Sequence, residues 1–381
     1  MKWEKVKLGD LAICIQPGPF GSQLHSSDYA DEGTPIIMPK DMIDGKISQK
    51  DLIRVPDKHL QRLKRHQVFD GDLMVARKGD VRKCVYITKN ENGWLTGSDC
   101  LKVSLDKEKC FPKYIYYQLR SPFMGRWLET ISIGATMPSL NTGLLSGIEI
   151  FLPTIEEQKR IAGILSAYDS LIENNQEQIK LLEEAAQRLY KEWFVDLRFP
   201  GHENVKIVDG VPEGWENASV TDLLEIRYGK DHKGLADGCI PVYGSGGIMR
   251  KVDKILYSGE SVLIPRKGSL NNILLVSGDF WTIDTMFYSV PKRPNVAKYV
   301  YLYLTGIDMY AMNIGAAVPS MTVKILDGMR LLCPSDSILE LFETTAKPYY
   351  EMIELLKKKQ SMLGETRDRL LPKLMSGEIE V

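Results

Sequence analysis

The chain has 381 residues, too many for one ordinary domain and about enough for two or three. Its residues are 44% hydrophobic and 26% charged, with a net charge of −1, as expected of a soluble globular protein. No apolar run approaches the ~20 residues that a membrane span needs. The opening Met1-Lys2-Trp3-Glu4-Lys5-Val6-Lys7 lacks the apolar centre of a signal peptide, so a cytoplasmic location is expected. The six cysteines form no C-x-x-C pair and have no histidine at zinc spacing, which predicts reduced thiols and no metal site.

Charge is distributed unevenly. Residues 1–155 carry 22 Lys and Arg against 18 Asp and Glu, whereas residues 156–196 carry 5 against 9. Residues 197–336 balance at 15 each, and residues 337–381 carry 7 against 8. A groove can be basic on a nearly neutral domain, so nucleic-acid binding is permitted.

Taken in chain order, residues 1–155 read as a mixed globular domain. Asp72-Leu73-Met74-Val75-Ala76 and Lys83-Cys84-Val85-Tyr86-Ile87 are strand-like, and Tyr114-Ile115-Tyr116-Tyr117-Gln118-Leu119 reads as a short helix packed on a sheet. Asp70 and Asp72 flank Gly71 as a hairpin would, and Ser258-Gly259-Glu260 repeats that pattern later. Residues 156–196 contain no proline and step by threes and fours through Ile161, Leu165, Tyr168, Ile172, Asn175, Ile179, Leu182, Ala186, Leu189 and Trp193. That is a heptad seam with one polar member, Asn175, of the kind that fixes register. Residues 197–336 repeat the globular pattern, with strands at Ser261-Val262-Leu263-Ile264 and Asn272-Ile273-Leu274-Leu275-Val276 and a short helix at Tyr299–Leu304. Residues 337–381 form a second long helix.

The two halves are copies. Gly134-Ala135-Thr136-Met137-Pro138-Ser139 matches Gly315-Ala316-Ala317-Val318-Pro319-Ser320 at an offset of 181, and Arg77-Lys78-Gly79 matches Arg266-Lys267-Gly268. The same offset maps the first seam onto Phe342, Ala346, Tyr349, Ile353, Leu356, Gln360, Leu363, Arg367, Leu370 and Leu374. This second seam is more polar, and Pro348 is expected to interrupt its early part. The fold class is α+β: two globular α/β domains separated by two long helices, each ~60 Å long, paired as an intrachain antiparallel coiled coil.

Leu152-Pro153-Thr154-Ile155-Glu156-Glu157-Gln158-Lys159-Arg160-Ile161 and Leu189-Tyr190-Lys191-Glu192-Trp193-Phe194-Val195-Asp196 resemble the central region of specificity subunits of type I restriction-modification systems. Leu370-Leu371-Pro372-Lys373-Leu374-Met375-Ser376-Gly377-Glu378-Ile379 resembles that family's distal ending. Gly18-Pro19-Phe20-Gly21-Ser22-Gln23-Leu24 and Pro241-Val242-Tyr243-Gly244-Ser245-Gly246-Gly247 resemble segments of its target-recognition domains. The resemblance implies that each globular domain reads one half of a bipartite double-stranded DNA target. It also implies that the helices set the gap and dock two modification (methyltransferase) subunits, and that restriction subunits join. S-adenosylmethionine, ATP and magnesium would then belong to those partners, with no cofactor in this chain.

Catalytic signatures are missing. There is no Pro-Pro for an amino-methyltransferase loop, no Walker A sequence, and no pair of histidines at i,i+4. Gly244-Ser245-Gly246-Gly247 reads as a turn rather than a cofactor loop. A non-catalytic subunit is therefore expected.

Bases are read by Arg, Lys, Asn and Gln, and phosphates by Lys, Arg, Ser, Thr and amides. The candidates in glycine-rich loops are Ser22, Gln23, Lys40, Arg77, Lys78 and Asn141 in the first half. In the second half they are Tyr228, Lys230, Ser245, Arg266, Lys267, Asn271 and Lys324. The matching Arg-Lys pairs suggest phosphate anchoring shared by both halves, against a reading as solvated turn charges. The basic run Lys58, His59, Arg62, Lys64, Arg65 and His66 either lines the duplex or faces solvent.

Overall fold

The computed structural model describes residues 3–134, 136–313, 315 and 318–381, apart from the side chain of Ser22. It divides into two compact units, one of residues 1–174 with 359–381 and one of residues 175–358. The four linear segments expected from sequence are therefore not the compact units, because each unit takes a portion of both long helices.

In the first unit, a four-stranded antiparallel sheet runs in the order Ala12–Pro17, Cys100–Leu105, Leu73–Ala76, Cys84–Tyr86. Leu73-Met74-Val75-Ala76 is buried throughout because both faces of this central strand are covered. A second sheet orders Ile53–Val55, Thr34–Ile37 and Leu95–Thr96, and its last two strands are parallel, with Ile36 opposite Leu95. An outer pair joins Glu4–Lys7 to Glu149–Leu152. The aromatic helix Pro112–Arg120 buries Tyr114, Ile115, Tyr116 and Tyr117, and the Tyr114 hydroxyl donates to the Phe151 carbonyl at 2.8 Å.

The second unit repeats this topology. Its antiparallel sheet runs Leu224–Tyr228, Met286–Pro291, Ser261–Pro265, Leu274–Val276. The companion sheet orders Gly247–Val252, Asp237–Gly244, Asp279–Thr282 and Tyr257–Ser258, again with a parallel central pair in which Val242 faces Trp281. Glu216–Ser219 pairs with Arg330–Cys333, and in helix Ala297–Thr305 the Tyr299 hydroxyl donates to the Leu332 carbonyl. Leu332 lies 181 residues beyond Phe151. The sequence repeat is thus a repeat of hydrogen bonds as well as of residue types.

The first long helix, Ile155–Tyr190, continues into a π-helical turn at Lys191–Val195. Thr154 and Glu157 form its capping box: the Thr154 amide donates to the Glu157 carboxylate at 2.9 Å, and the Glu157 amide donates to the Thr154 hydroxyl at 3.3 Å. The fully buried Gln158 accepts from the Phe111 amide at 2.8 Å and donates to the Pro153 carbonyl at 2.8 Å, tying the helix start to the aromatic helix. The second long helix, Asp336–Ser376, is continuous through Pro348, contrary to the interruption expected there. Pro348 and Thr344 are both exposed, so water can serve the carbonyl that loses its amide partner.

The seam positions face inward. In the first unit Ile161 and Leu165 share a core with Leu371, Leu374 and Met375, with Leu370 packed against it, and Tyr168, Ile172 and Leu363 are half-buried. In the second unit Ile179 meets Ile353 and Leu356, with Leu182 alongside. Ala186, Trp193, Phe342 and Ala346 join that unit's main core, flanked by Leu189 and Tyr349, and Asn175 is buried. Within each unit the start of one helix meets the end of the other, so the pairing is antiparallel. Phe194 sits 4.8 Å from the Phe342 ring and 4.7 Å from the Tyr299 ring, both edge-on. Edge-to-face aromatic contacts of this sort add ~0.5–1.5 kcal/mol each beyond area burial.

Candidate nucleic-acid interface

The turn after the central strand is built the same way in both units. In the first unit, the Arg77 amide donates to the Asp99 carbonyl at 2.7 Å, and the Leu140 amide donates to the Arg77 carbonyl at 2.8 Å. The Gly79 amide donates to the Pro138 carbonyl at 3.0 Å, and Lys78 bridges Ser139. In the second unit, the Arg266 amide donates to the Thr285 carbonyl at 2.8 Å, and the Met321 amide donates to the Arg266 carbonyl at 2.8 Å. The Gly268 amide donates to the Pro319 carbonyl at 3.0 Å, and Lys267 bridges Ser320. The two Pro-Ser segments matched by sequence are thus the straps that hold the two Arg-Lys turns.

Each turn carries a guanidinium stacked on an exposed ring. The Arg77 guanidinium lies 5.7 Å from the Phe20 centroid, and that of Arg266 lies 5.3 Å from the Tyr228 centroid. Phe20 is 55% exposed and Tyr228 54%. Stacking fixes the plane of an arginine while leaving its donor edge available, a preorganisation that lysine lacks. The neighbouring backbone needs glycine. A Cβ at Gly18 would lie 1.9 Å from the Gly97 carbonyl oxygen, and one at Gly229 would lie 2.0 Å from that of Ile283. Lys78 is paired loosely with Asp99 at 3.3 Å on the surface, and Lys267 is exposed.

The remaining candidates divide into available and committed side chains. Lys40, Lys230 and Lys324 are exposed, and the Lys230 carbonyl accepts from the Trp281 indole at 2.9 Å. Ser245 occupies a tight hairpin turn between Asp237–Gly244 and Gly247–Val252, and its carbonyl accepts from Asn272 at 2.8 Å. Gln23 is half-buried with its amide oxygen out of water, while the Ser22 side chain lies outside the described residues. Asn141 caps the helix Thr142–Ser146, accepting from the Leu144 amide at 2.8 Å, as Thr322 caps Val323–Gly328 in the second unit. Asn271 is used at both ends, donating to Asp308 at 3.0 Å and accepting from the Met309 amide at 2.8 Å. These contacts explain both asparagines without a ligand.

The basic run at 58–66 folds as three short helical turns. Arg62 pairs with Asp28 at 2.8 Å, with His59 beside the same carboxylate. His66 is buried, and burial, reinforced by the neighbouring Arg65 charge, pushes its pKa down to about 4. The run therefore does not present six cations to one partner.

Sequence reasoning passed over several exposed neighbours of the two turns. Met137 and Val318, equivalent at the 181 offset, are 60% and 52% exposed beside the Pro-Ser straps. Ile248 and Met249 are likewise exposed on the hairpin beyond Ser245. The offset could have found the first pair; nothing in the local sequence marks the second. Elsewhere chemistry is muted: burial pushes the Cys84 and Cys110 thiols up to about 12, far from a reactive thiolate.

Residues 1–184 match the family model of the type I restriction modification DNA specificity domain. The chain is similar to the specificity subunits of type I restriction-modification systems. The MjaIX type I restriction enzyme specificity subunit of Methanocaldococcus jannaschii is 28% identical over 329 residues, covering 78% of this chain and 75% of that one. The putative MjaX specificity subunit of the same organism is 23% identical across 100% of this chain and 94% of its own length. The HindI specificity subunit of Haemophilus influenzae is 20% identical across 99% of each. A crystal structure of the type I S subunit from M. genitalium superposes with a TM-score of 0.60 over 98% of this chain and 96% of that one, at 18% identity, a match of fold. Among the described residues no helix is long and apolar enough to cross a membrane.

Proposed function

We propose that each globular domain of this specificity subunit reads one half of a bipartite double-stranded DNA target, and that the paired helices set the gap between the halves. The observation that carries this reading is the duplicated Arg-Lys turn, strapped by the same Pro-Ser segment and stacked on an exposed ring in both units. Equal architecture suits the part of DNA that is equal everywhere, the phosphate backbone. Arg77 and Lys78 anchor phosphates in one half-site and Arg266 and Lys267 in the other. Sequence reading falls to residues that differ between the halves: Gln23 and Lys40 in the first, and Lys230 and the Ser245 hairpin in the second.

The helix faces turned away from the seam dock two modification subunits, with restriction subunits joining them. Methylation and cleavage belong to those partners, together with S-adenosylmethionine, ATP and magnesium, and the assembly works in the cytoplasm. The subunit itself is non-catalytic in this reading.

The test is a heptad insertion in both helices, after Asn175 and after Leu356, which preserves the seam and lengthens the spacer. Methylome sequencing of a host carrying the variant should show the same two half-sites with a changed gap. An unchanged gap refutes the ruler, and the absence of any bipartite adenine-methylated motif in the wild-type host refutes the reading as a whole.

A further inference from the structure

The loop from Arg77 to Lys83 holds four cations and one acid in seven residues. Arg77 and Lys78 belong to the strapped turn. The other two, Arg82 and Lys83, line a cavity of about 340 Å³ with Arg120, Asp44 and Asp80, beneath the hairpin that joins Met42–Ile43 to Lys46–Ile47. Arg82 is neutralised there, bonded to Asp80 at 2.8 Å and facing Glu129 at 3.3 Å. Lys83 and Arg120 are held differently, by neutral oxygens. Lys83 donates to the Pro39 carbonyl at 2.9 Å. Arg120 donates to the Tyr116 hydroxyl at 2.6 Å and to the Asp44 carbonyl at 3.1 Å, with its guanidinium 5.2 Å from the Tyr116 ring centroid. The nearby Asp41 carboxylate is taken by the Met38 amide at 2.9 Å.

The hairpin is shaped around this arginine. Gly45 has φ +81, and a Cβ there would lie 2.3 Å from the Arg120 guanidinium. An arginine fixed in this way, beside a lysine and with no carboxylate partner of its own among the described residues, presents the donors that a phosphate group takes in charge-assisted hydrogen bonds. The cavity is at the lower end of ligand-pocket sizes, enough for a phosphate and its immediate attachment.

The second unit offers nothing comparable at the matching positions. Counting from the aligned Gly79 and Gly268, Asn271 and Asn272 stand where Arg82 and Lys83 do, and Thr305 ends the helix Ala297–Thr305 as Arg120 ends Pro112–Arg120. All three are occupied internally, by Asp308, the Ser245 carbonyl and the Tyr301 carbonyl.

We propose that the cleft lined by Lys83 and Arg120 is a phosphate-binding pocket of the first recognition domain, not repeated at the matching described residues of the second. It rests on the DNA-reading function proposed above, since it opens on the loop that carries Arg77. A backbone phosphodiester is the expected occupant, so the first domain grips DNA more strongly and less selectively than the second.

The experiment uses the full chain and four proteins: wild type, Lys83→Gln, Arg120→Gln and Arg77→Ala. Affinity for a duplex is measured against KCl concentration, and Tm against inorganic phosphate. Lys83→Gln and Arg120→Gln should each flatten the salt slope by about one unit for every duplex sequence. Because Arg120 also braces the hairpin, Lys83→Gln decides the matter if Arg120→Gln fails to fold. An unchanged salt slope, with loss of the Tm increase that phosphate gives the wild type, assigns the pocket to a free phosphate rather than DNA. No change in either measurement for Lys83→Gln overturns the pocket. If wild type and Arg77→Ala alike show no DNA binding, the DNA-reading function fails, and the phosphate titration still decides the pocket.

Discussion

Arg367 of the second long helix donates to Asp169 of the first across 2.7 Å, and Asp169 also accepts from the Tyr117 hydroxyl at 2.6 Å. Both members of the ion pair are largely buried, with side chains 20% and 16% exposed. Burial, and then the bond to Asp169, pushes the Tyr117 hydroxyl far up, so it remains a donor. An arginine that looks like a flaw in an apolar seam is therefore a fastener joining both helices to the aromatic helix of the first unit.

Replacing Arg367 with Leu strands a largely buried carboxylate and should cost about 2–3 kcal/mol, with the incomplete burial keeping it below the full penalty for a buried pair. Adding Asp169→Asn should recover most of that, because the amide oxygen still accepts from Tyr117. Urea midpoints of the two variants measure it; equal losses in both would show that the charge pairing is not what holds this seam.

Lys298 is the corresponding liability of the second unit. It is 8% exposed and bonded at 2.6 Å to both Glu260 and Glu343. Its own burial pulls its pKa down, but the two carboxylates outweigh that and raise it, so it stays charged. Lys298→Met should destabilise by roughly 3 kcal/mol, since two carboxylates lose the cation they share. Lys298→Met with Glu343→Gln should be milder than the single change. Thermal unfolding of both variants provides the comparison.

His66 gives the first unit a pH response. The folded histidine is held at about 4, below its ordinary value near 6.5, by burial and then by Arg65, whose Nε donates to the ring nitrogen Nε2 at 3.0 Å. Between pH 6.5 and about 4 the unfolded chain binds a proton that the folded one refuses. Stability contributed by this residue is thus complete above pH 6.5 and is lost as pH falls towards 4, with a slope approaching ~1.4 kcal/mol per pH unit. Subtracting the profile of His66→Gln isolates the effect; parallel profiles would contradict it.

Arg77→Ala and Arg266→Ala should weaken binding to all duplexes alike and lower the salt slope by about one unit each. Phe20→Ala and Tyr228→Ala should have smaller effects, on the order of 0.5–1 kcal/mol, by loosening the stacked arginine. A loss confined to one base pair of the target would reassign these arginines from phosphate to base.

Periodicity made much of the architecture legible. Strands such as Leu73–Ala76 and Ser261–Pro265, both aromatic helices and the two seams follow from apolar spacing alone. Less visible were the roles of polar residues, because a polar side chain gives no hint of its partner. Asn141 and Asn271, candidates for DNA contact, are engaged as a helix cap and a loop fastener. Pro348 looked like a break and is absorbed on an exposed face. The parallel pairing of Thr34–Ile37 with Leu95–Thr96 joins strands almost sixty residues apart, which no local pattern encodes. In the interface, the duplicated Arg-Lys turn was readable from the repeat, whereas its stacked rings and the Lys83–Arg120 cleft depend on packing between distant segments.

The division of the chain at residues 174 and 358 also bears on synthesis. The second unit is one continuous stretch, residues 175–358. The first unit, though translated earliest, cannot complete its core until Leu371, Leu374 and Met375 have emerged to join Ile161 and Leu165. The first core thus waits for the far end of the second long helix, and a chain without it carries an open apolar strip along Ile161 and Leu165 that chaperones or another copy would cover first.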